Sequence, residues 1–188
     1  MGVVEVGRRA LLYLVVSHWR RWGEVWGKKK VQKLMFLVEH WDGGRGVSRS
    51  LGLTGYGFVV WLYGPYSPQV DEDLEWLVEE GYISERVYGY DSYHSVVADG
   101  EVVRLGFYDD DKSPKVIYVY RPTWRARFVR VEEKLRARID AVVDKFGRYT
   151  ANELEILTTA MLGVEKRKTL GKRVDEIVQL GGGTRNTH

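Results

Sequence analysis

The sequence predicts an α+β fold in which helices flank an antiparallel β-meander. Three observations carry this. Apolar residues recur at helical spacing on both sides of the chain's middle, as Leu11, Val15, Trp19 and Trp22 do near the start. Between residues 82 and 120 the period changes to two. Within that stretch Asp99-Gly100 stands between Val96-Val97 and Val102-Val103, the pattern of a two-residue hairpin.

The chain has 188 residues, enough for one domain with a substantial hydrophobic core. Its lack of Cys excludes a disulfide framework, a thiol nucleophile and Cys-ligated zinc. No apolar run approaches the roughly 18–20 residues of a membrane span. Glu5, Arg8 and Arg9 break the opening stretch, which does not read as a signal peptide. A soluble cytoplasmic protein is expected. Gln, Asn and Met are scarce, a composition compatible with a thermophilic source.

The elements follow in order. A first helix runs from Val4 to Trp22, and Gly23 to Gly27 connects it to a second, about Lys28 to Trp41. On the second, Val31, Leu34, Met35, Val38 and Trp41 share one side. The Gly-rich loop 43–57 matches neither G-x-G-x-x-G nor a Walker loop, so it lends no support to nucleotide binding. Phe58 to Tyr63 reads as a short buried strand, and Gly64-Pro65-Tyr66-Ser67-Pro68 as a rigid turn. Pro68 opens a helix that Gly81 stops. Segments near 82–90, 93–98, 101–108 and 115–120 make the meander, with Asp109 to Pro114 as a second turn. From Pro122 to Phe146 one long helix is expected, its stripe formed by Trp124, Phe128, Val131, Leu135, Ile139, Val142 and Phe146. Thr150 and Glu153 form a capping box for a helix through Leu162. A last helix reaches about Leu180. The expected division is a first unit over 1–121, a helical extension over 122–180 and a loose tail over 181–188.

Charge is segregated. Residues 1–50 carry 10 basic and 4 acidic side chains, residues 51–120 carry 4 and 13, and residues 121–188 carry 15 and 9. The basic ends either contact phosphates or neutralise the acidic middle within the fold, and we favour the second. Lys28, Lys29 and Lys30 open the second helix, where the helix dipole disfavours cations. A nearby phosphate or acidic partner would remove that conflict. Arg127, Arg130, Lys134 and Arg138 form a row about 90° round from the apolar stripe, without an acid in it. Such a row tracks phosphates, or simply covers the apolar seam with long side chains.

Catalytic signals are missing. His18, His40, His94 and His188 show no metal-ligand spacing, and no G-x-S-x-G elbow occurs. The acids between Asp71 and Glu80 read as a solvated face. We expect no catalytic residue, metal or cofactor; an enzyme is the third reading.

Two helices, a strand, a third helix ending in Leu77-Val78-Glu79-Glu80-Gly81-Tyr82-Ile83 and then a hairpin-rich sheet make the order of a winged helix-turn-helix. Residues 29–41 and 58–83 resemble the Panacea-type family of SocA-like antitoxins and proteolytic adaptors, and the related YwgA-like proteins. The resemblance rests on Lys30, Gln32, Lys33, Leu34 and Phe36, then on Trp61, Tyr63, Gly64, Pro65 and Pro68. Residues 150–162 look like the late helix of the YwgA-like group. Val70-Asp71 departs from the antitoxin pattern after the second proline. The resemblance implies a non-catalytic binding module acting on a protein partner or on DNA.

Weighing these partners, the helix from Pro68 to Glu80 carries six acids and no base, so a DNA groove would repel it. DNA contact, if made, falls to Lys28, Lys29, Lys30, Lys33, Arg127, Arg130, Lys134 and Arg138, or to the basic patch over 166–173, and would be weakly sequence-specific. A protein partner would meet Trp61, Tyr63, Tyr66, Asp71, Glu72 and Glu75. Trp61 and Pro65 are also expected to hold the turn itself. A protein partner leads, DNA is second, a homodimer is compatible, and no membrane is involved.

Overall fold

The structure, a computed structural model, describes residues 3–90, 96–98, 101–103, 115–163 and 166–181. It opens with α1 (Val3–Trp22), β1 (Val25–Trp26) and α2 (Lys28–His40). Then come β2 (Val59–Trp61), β3 (Gly64–Tyr66), α3 (Pro68–Glu79), β4 (Ile83–Tyr90), β5 (Val96–Ala98), β6 (Glu101–Val103) and β7 (Lys115–Pro122). A 3-10 turn (Trp124–Phe128) leads to α4 (Glu133–Phe146), α5 (Ala151–Leu162), α6 (Lys166–Thr169) and α7 (Val174–Gly181). The expected α+β class holds. No described helix is long and apolar enough to cross a membrane.

The meander takes another form. β4 pairs directly with β7 along its whole length, from Ile83↔Pro122 to Tyr90↔Lys115. β1 pairs with β7 through Val25↔Tyr120, giving the sheet order β1-β7-β4. β5 and β6 form a separate ribbon, Val96↔Val103 to Ala98↔Glu101. Period-two patterning identifies strands but not their partners, so a consecutive meander was the simplest reading. The Asp99-Gly100 turn, the turn at 109–114 and the tail at 182–188 lie outside the described residues.

The long helix expected from Pro122 is broken. The Thr123 side chain accepts from the Arg125 N–H and caps the 3-10 turn, and Val129 is extended (φ −61°, ψ 128°). β-Branched Val129 and Val131 favour that extended link. Trp124 and Phe128 are 68% and 70% exposed, so they do not continue the stripe of Leu135, Ile139, Val142 and Phe146. The capping box of Thr150 and Glu153 is present as expected, and Gly163 ends α5 at φ 62°.

Burial of α2 organises the core. Every residue from Lys30 through His40 is buried, because α3, α4, α5, β1 and β3 all pack round it. The single apolar side expected from the sequence is therefore only part of its contact surface. Its polar residues need partners, since an unpaired buried polar group costs about 1–3 kcal/mol. His40 Nδ1 faces the Ser48 carbonyl at 3.0 Å. Glu39 does more. Its Oε1 accepts from Ser50 Oγ (2.6 Å) and the Leu53 N–H (3.1 Å). Its Oε2 accepts from the Thr54 N–H (3.0 Å) and Thr54 Oγ1 (2.7 Å). The Gly-rich loop thus wraps one buried carboxylate.

Burial raises the Glu39 carboxyl, but these four donors outweigh it and hold the group below its ordinary 4.5. A depressed folded pKa gives stability that is present above the unfolded value and lost as pH falls through the folded one. Glu39→Gln should cost about 2 kcal/mol at neutral pH, because its amide turns donors toward donors. Urea unfolding should show that gap narrowing as the pH drops below 4.5; a gap independent of pH would refute an ionised Glu39.

Candidate functional site

The partner-facing residues expected from the sequence separate into a braced base and an exposed tip. β2 and β3 form a hairpin whose Trp61↔Gly64 pair closes a two-residue loop, Leu62-Tyr63. Gly64 adopts φ +86°, and a Cβ there would stand 3.1 Å from Thr159 Oγ1. Glycine meets both constraints. The chain therefore reverses before Gly64-Pro65, and not within residues 64–68 as the sequence suggested.

The base is fastened to α2. The Gln32 amide donates to the Ser67 carbonyl (2.9 Å) and to Asp71 Oδ1 (2.7 Å), while its Oε1 accepts from the Ser67 N–H (3.0 Å). It pairs with Ser67 as a neighbouring strand would. Lys33 Nζ donates to the Pro65 carbonyl at 2.8 Å. Tyr66 donates its phenol to Asp71 Oδ2 at 2.9 Å. Burial, reinforced by Asp71, pushes that phenol up to about 12. Tyr66 and Asp71 thus brace the start of α3. The outer edge of β2 is also covered: the Val60 N–H donates to the Lys172 carbonyl (2.9 Å), and the Gly171 N–H to the Val60 carbonyl (2.8 Å).

The tip is open. Trp61, Leu62 and Tyr63 are 46%, 59% and 61% exposed. The expectation that Trp61 holds the turn is corrected here: Pro65 is buried, and Trp61 faces outward. Leu62 escaped the sequence reading, because a buried strand through Tyr63 would have hidden it.

The acids of α3 are partly spent internally. Asp73 accepts from Arg8 Nε (2.6 Å) and from the Tyr56 phenol (2.8 Å). Glu75 pairs with Lys28 at 2.9 Å. Glu72 and Glu79 are exposed. Arg8–Asp73 and Lys28–Glu75 join the basic start to the acidic middle, as the neutralisation reading expects.

The basic residues do not form one surface. Although burial lowers the Lys28 amine, its bond to Glu75 and the charges of Asp71 and Glu85 lift it above 10.5. Lys29 bonds Asn152 Oδ1 (2.8 Å) and Glu155 Oε2 (2.9 Å). Lys30 is only 7% exposed and Lys33 2%. The expected single-helix row is dispersed. Arg127 lies on the 3-10 turn, Arg130 in the extended link, and Lys134 and Arg138 on α4. Arg127 Nε donates to the Trp124 carbonyl (2.9 Å). Arg138 donates to the carbonyls of Leu37 (3.0 Å), Val38 (2.9 Å) and Trp41, closing the C-terminal end of α2. Arg130 and Lys134 stay exposed. Among the described residues no three His, Asp or Glu side chains gather into a metal-binding group.

Gln32→Leu would leave the Ser67 N–H unpaired and strip Asp71 Oδ1 of its amide donor, while the Ser67 carbonyl keeps the Val70 N–H. It should cost about 2–4 kcal/mol in urea unfolding. Wild-type stability would mean that Gln32 does not hold the hairpin base.

The result is a braced scaffold with an open apolar tip. Residues 31–161, more than half of the chain, match the family described as Antitoxin SocA-like, Panacea domain. The chain belongs to that family. No curated protein and no solved structure matches it.

Proposed function

We propose that this chain is a non-enzymatic winged-helix regulator or adaptor of the antitoxin type that binds a protein partner. Family membership supports the antitoxin class. The order α1-β1-α2-α3-β4-β7, with sheet order β1-β7-β4, supports the winged-helix reading. The late helix α5 fits the YwgA-like side of the resemblance. The observation that carries partner binding is the tip: three large apolar residues stand in solvent on a hairpin whose base is fixed at four places. Rigid aromatic anchors bind with little loss of side-chain freedom. Three apolar anchors favour a partner with an apolar pocket.

DNA contact through Arg130 and Lys134 is the second reading. Both are exposed, and neither makes an ion pair among the described residues. α3 remains unsuited to a DNA groove, since Glu72, Glu79 and Glu80 still face solvent.

The test is a double variant, Trp61→Ser with Tyr63→Ser. Both side chains are exposed, so melting and circular dichroism should stay close to wild type. Affinity for the protein identified by cross-linking to the wild-type chain in its host should fall by at least about tenfold. Unchanged affinity would refute the tip as the docking surface. For DNA, anisotropy with a generic duplex at two salt concentrations should show salt-dependent binding that weakens in Arg130→Ala with Lys134→Ala. Salt-independent or absent binding would remove that reading.

A further inference from the structure

The N-terminal end of α2 opens into a cavity of about 490 Å³ that neither reading above uses. Trp26, Val116 and Tyr118 make its apolar wall, and Lys30, Arg148 and Asn152 its polar side. This is the size range of sites for single small molecules.

Three observations point to an anion there. First, Lys30 is 7% exposed, yet its amine has no hydrogen-bond or ion-pair partner among the described residues. Glu153 acts on it only through space, its Oε2 already accepting the Thr150 N–H at 2.7 Å. Second, Gly27 gives α2 no side-chain cap. The first N–H groups of the helix, with the positive end of its dipole, are therefore left to other partners. Third, Arg148 stands exposed on the rim. The other polar residues buried in α2, Gln32, Lys33, Glu39 and His40, all meet partners. Lys30 is the exception, and it faces this cavity.

We propose that the cavity binds a small phosphomonoester with a flat apolar body. The phosphate would lie against Lys30, Arg148 and the start of α2, and the body against Trp26 and Tyr118. A duplex phosphate carries the same anionic group, but the 7% exposure of Lys30 and the limited size of the cavity favour a small ligand. Lys28 is held by Glu75, and Lys29 by Glu155 and Asn152, so Lys30 and Arg148 are the cations left to meet the anion.

Burial lowers the Lys30 amine to about 8, with Glu153 opposing the shift. Its charge is present below that pH and lost above it. The neighbours with shifted ionisation stay clear of this range. Burial and the Lys30 charge outweigh the Gly23 and Gly147 carbonyls and bring His18 to about 4. Lys28 is raised, and backbone and side-chain bonds from Thr150 lower Glu153. Arg148, Lys29, Glu75, Glu155, Asp71, Glu85 and Tyr118 are further charged and titratable groups around the site among the described residues.

The experiment is calorimetric titration of the full chain with adenosine 5′-monophosphate, adenosine and inorganic phosphate. The monophosphate should bind one to one. Adenosine and phosphate should each bind at least about tenfold more weakly. Affinity for the monophosphate should fall between about pH 7 and pH 9, where the phosphate itself is already dianionic. Lys30→Met should weaken it at least about tenfold while keeping the wild-type circular dichroism. Arg148→Ser, on an exposed rim, tests the same site without touching the core and should also weaken binding. The proposal fails if no probe releases heat. It fails if both variants bind like wild type, or if adenosine alone matches the monophosphate. It also fails if a generic duplex displaces the monophosphate, which would assign the site to nucleic acid. None of these results bears on Trp61 and Tyr63, so the partner-binding reading stands or falls separately.

Discussion

The fold depends on how α2 is satisfied. From Lys30 onward this helix is buried on every side, so its polar side chains lose water and need partners. Gln32, Lys33, Glu39 and His40 do so by bonding the backbone or side chains of the loops that follow. Arg138 closes the carbonyl end of the same helix from α4. These bonds do two things at once. They remove the penalty of burying the groups, and they specify where otherwise irregular chain must lie. Apolar packing alone would leave the Gly-rich loop and the hairpin base free to choose other positions.

This arrangement explains the division of labour in the hairpin. Its strands are only three residues each, too short to be stable by themselves. Gln32 and Lys33 hold one strand, residues 171–174 pair along the other, and Tyr66–Asp71 fixes the step into α3. With the base held in this way, the two-residue loop can expose Leu62 and Tyr63 without loosening the fold. The same motif that marks the family therefore contributes structure through Gln32, Lys33 and Pro65, and accessible surface through Trp61 and Tyr63.

The sequence revealed this unevenly. The capping box, the extents of α1, α2 and α3, and the period-two strands are local signals, and local chemistry enforces them. The strand partners of β4 and β7 are not local, and alternation is silent on pairing. The stripe through Trp124 and Phe128 was misleading because its spacing is helical while Val129 and Val131 favour extended backbone. The basic row fell with that helix. Its charges had looked like one surface only because a single helix was assumed. Arg138 shows the difference most clearly, since a carbonyl-capping role depends on where the end of α2 lies in space. Gln32 stood in the family-like motif without a stated structural role, and Glu39 carried no signal beyond being polar within an apolar stretch. That feature was the available clue: a polar residue at a buried helical position implies a specific partner.

Lys28, Lys29 and Lys30 conflict with the helix dipole, and the structure resolves the conflict differently at each. Lys28 leans to Glu75 of α3, with its amine 5.1 Å from the Tyr118 ring centroid. Lys29 turns to Glu155 and Asn152, over the Tyr63 ring at 5.1 Å. Two of the three thus connect the start of α2 with the surroundings of the hairpin tip and with the acidic helix. Lys30 alone turns inward without a counter-charge in contact. An anion beside it would draw on the same positive field that Glu75 and Glu155 share. Such an anion would meet mainly Lys30, because Glu75 and Glu155 already hold the other two amines of the triplet.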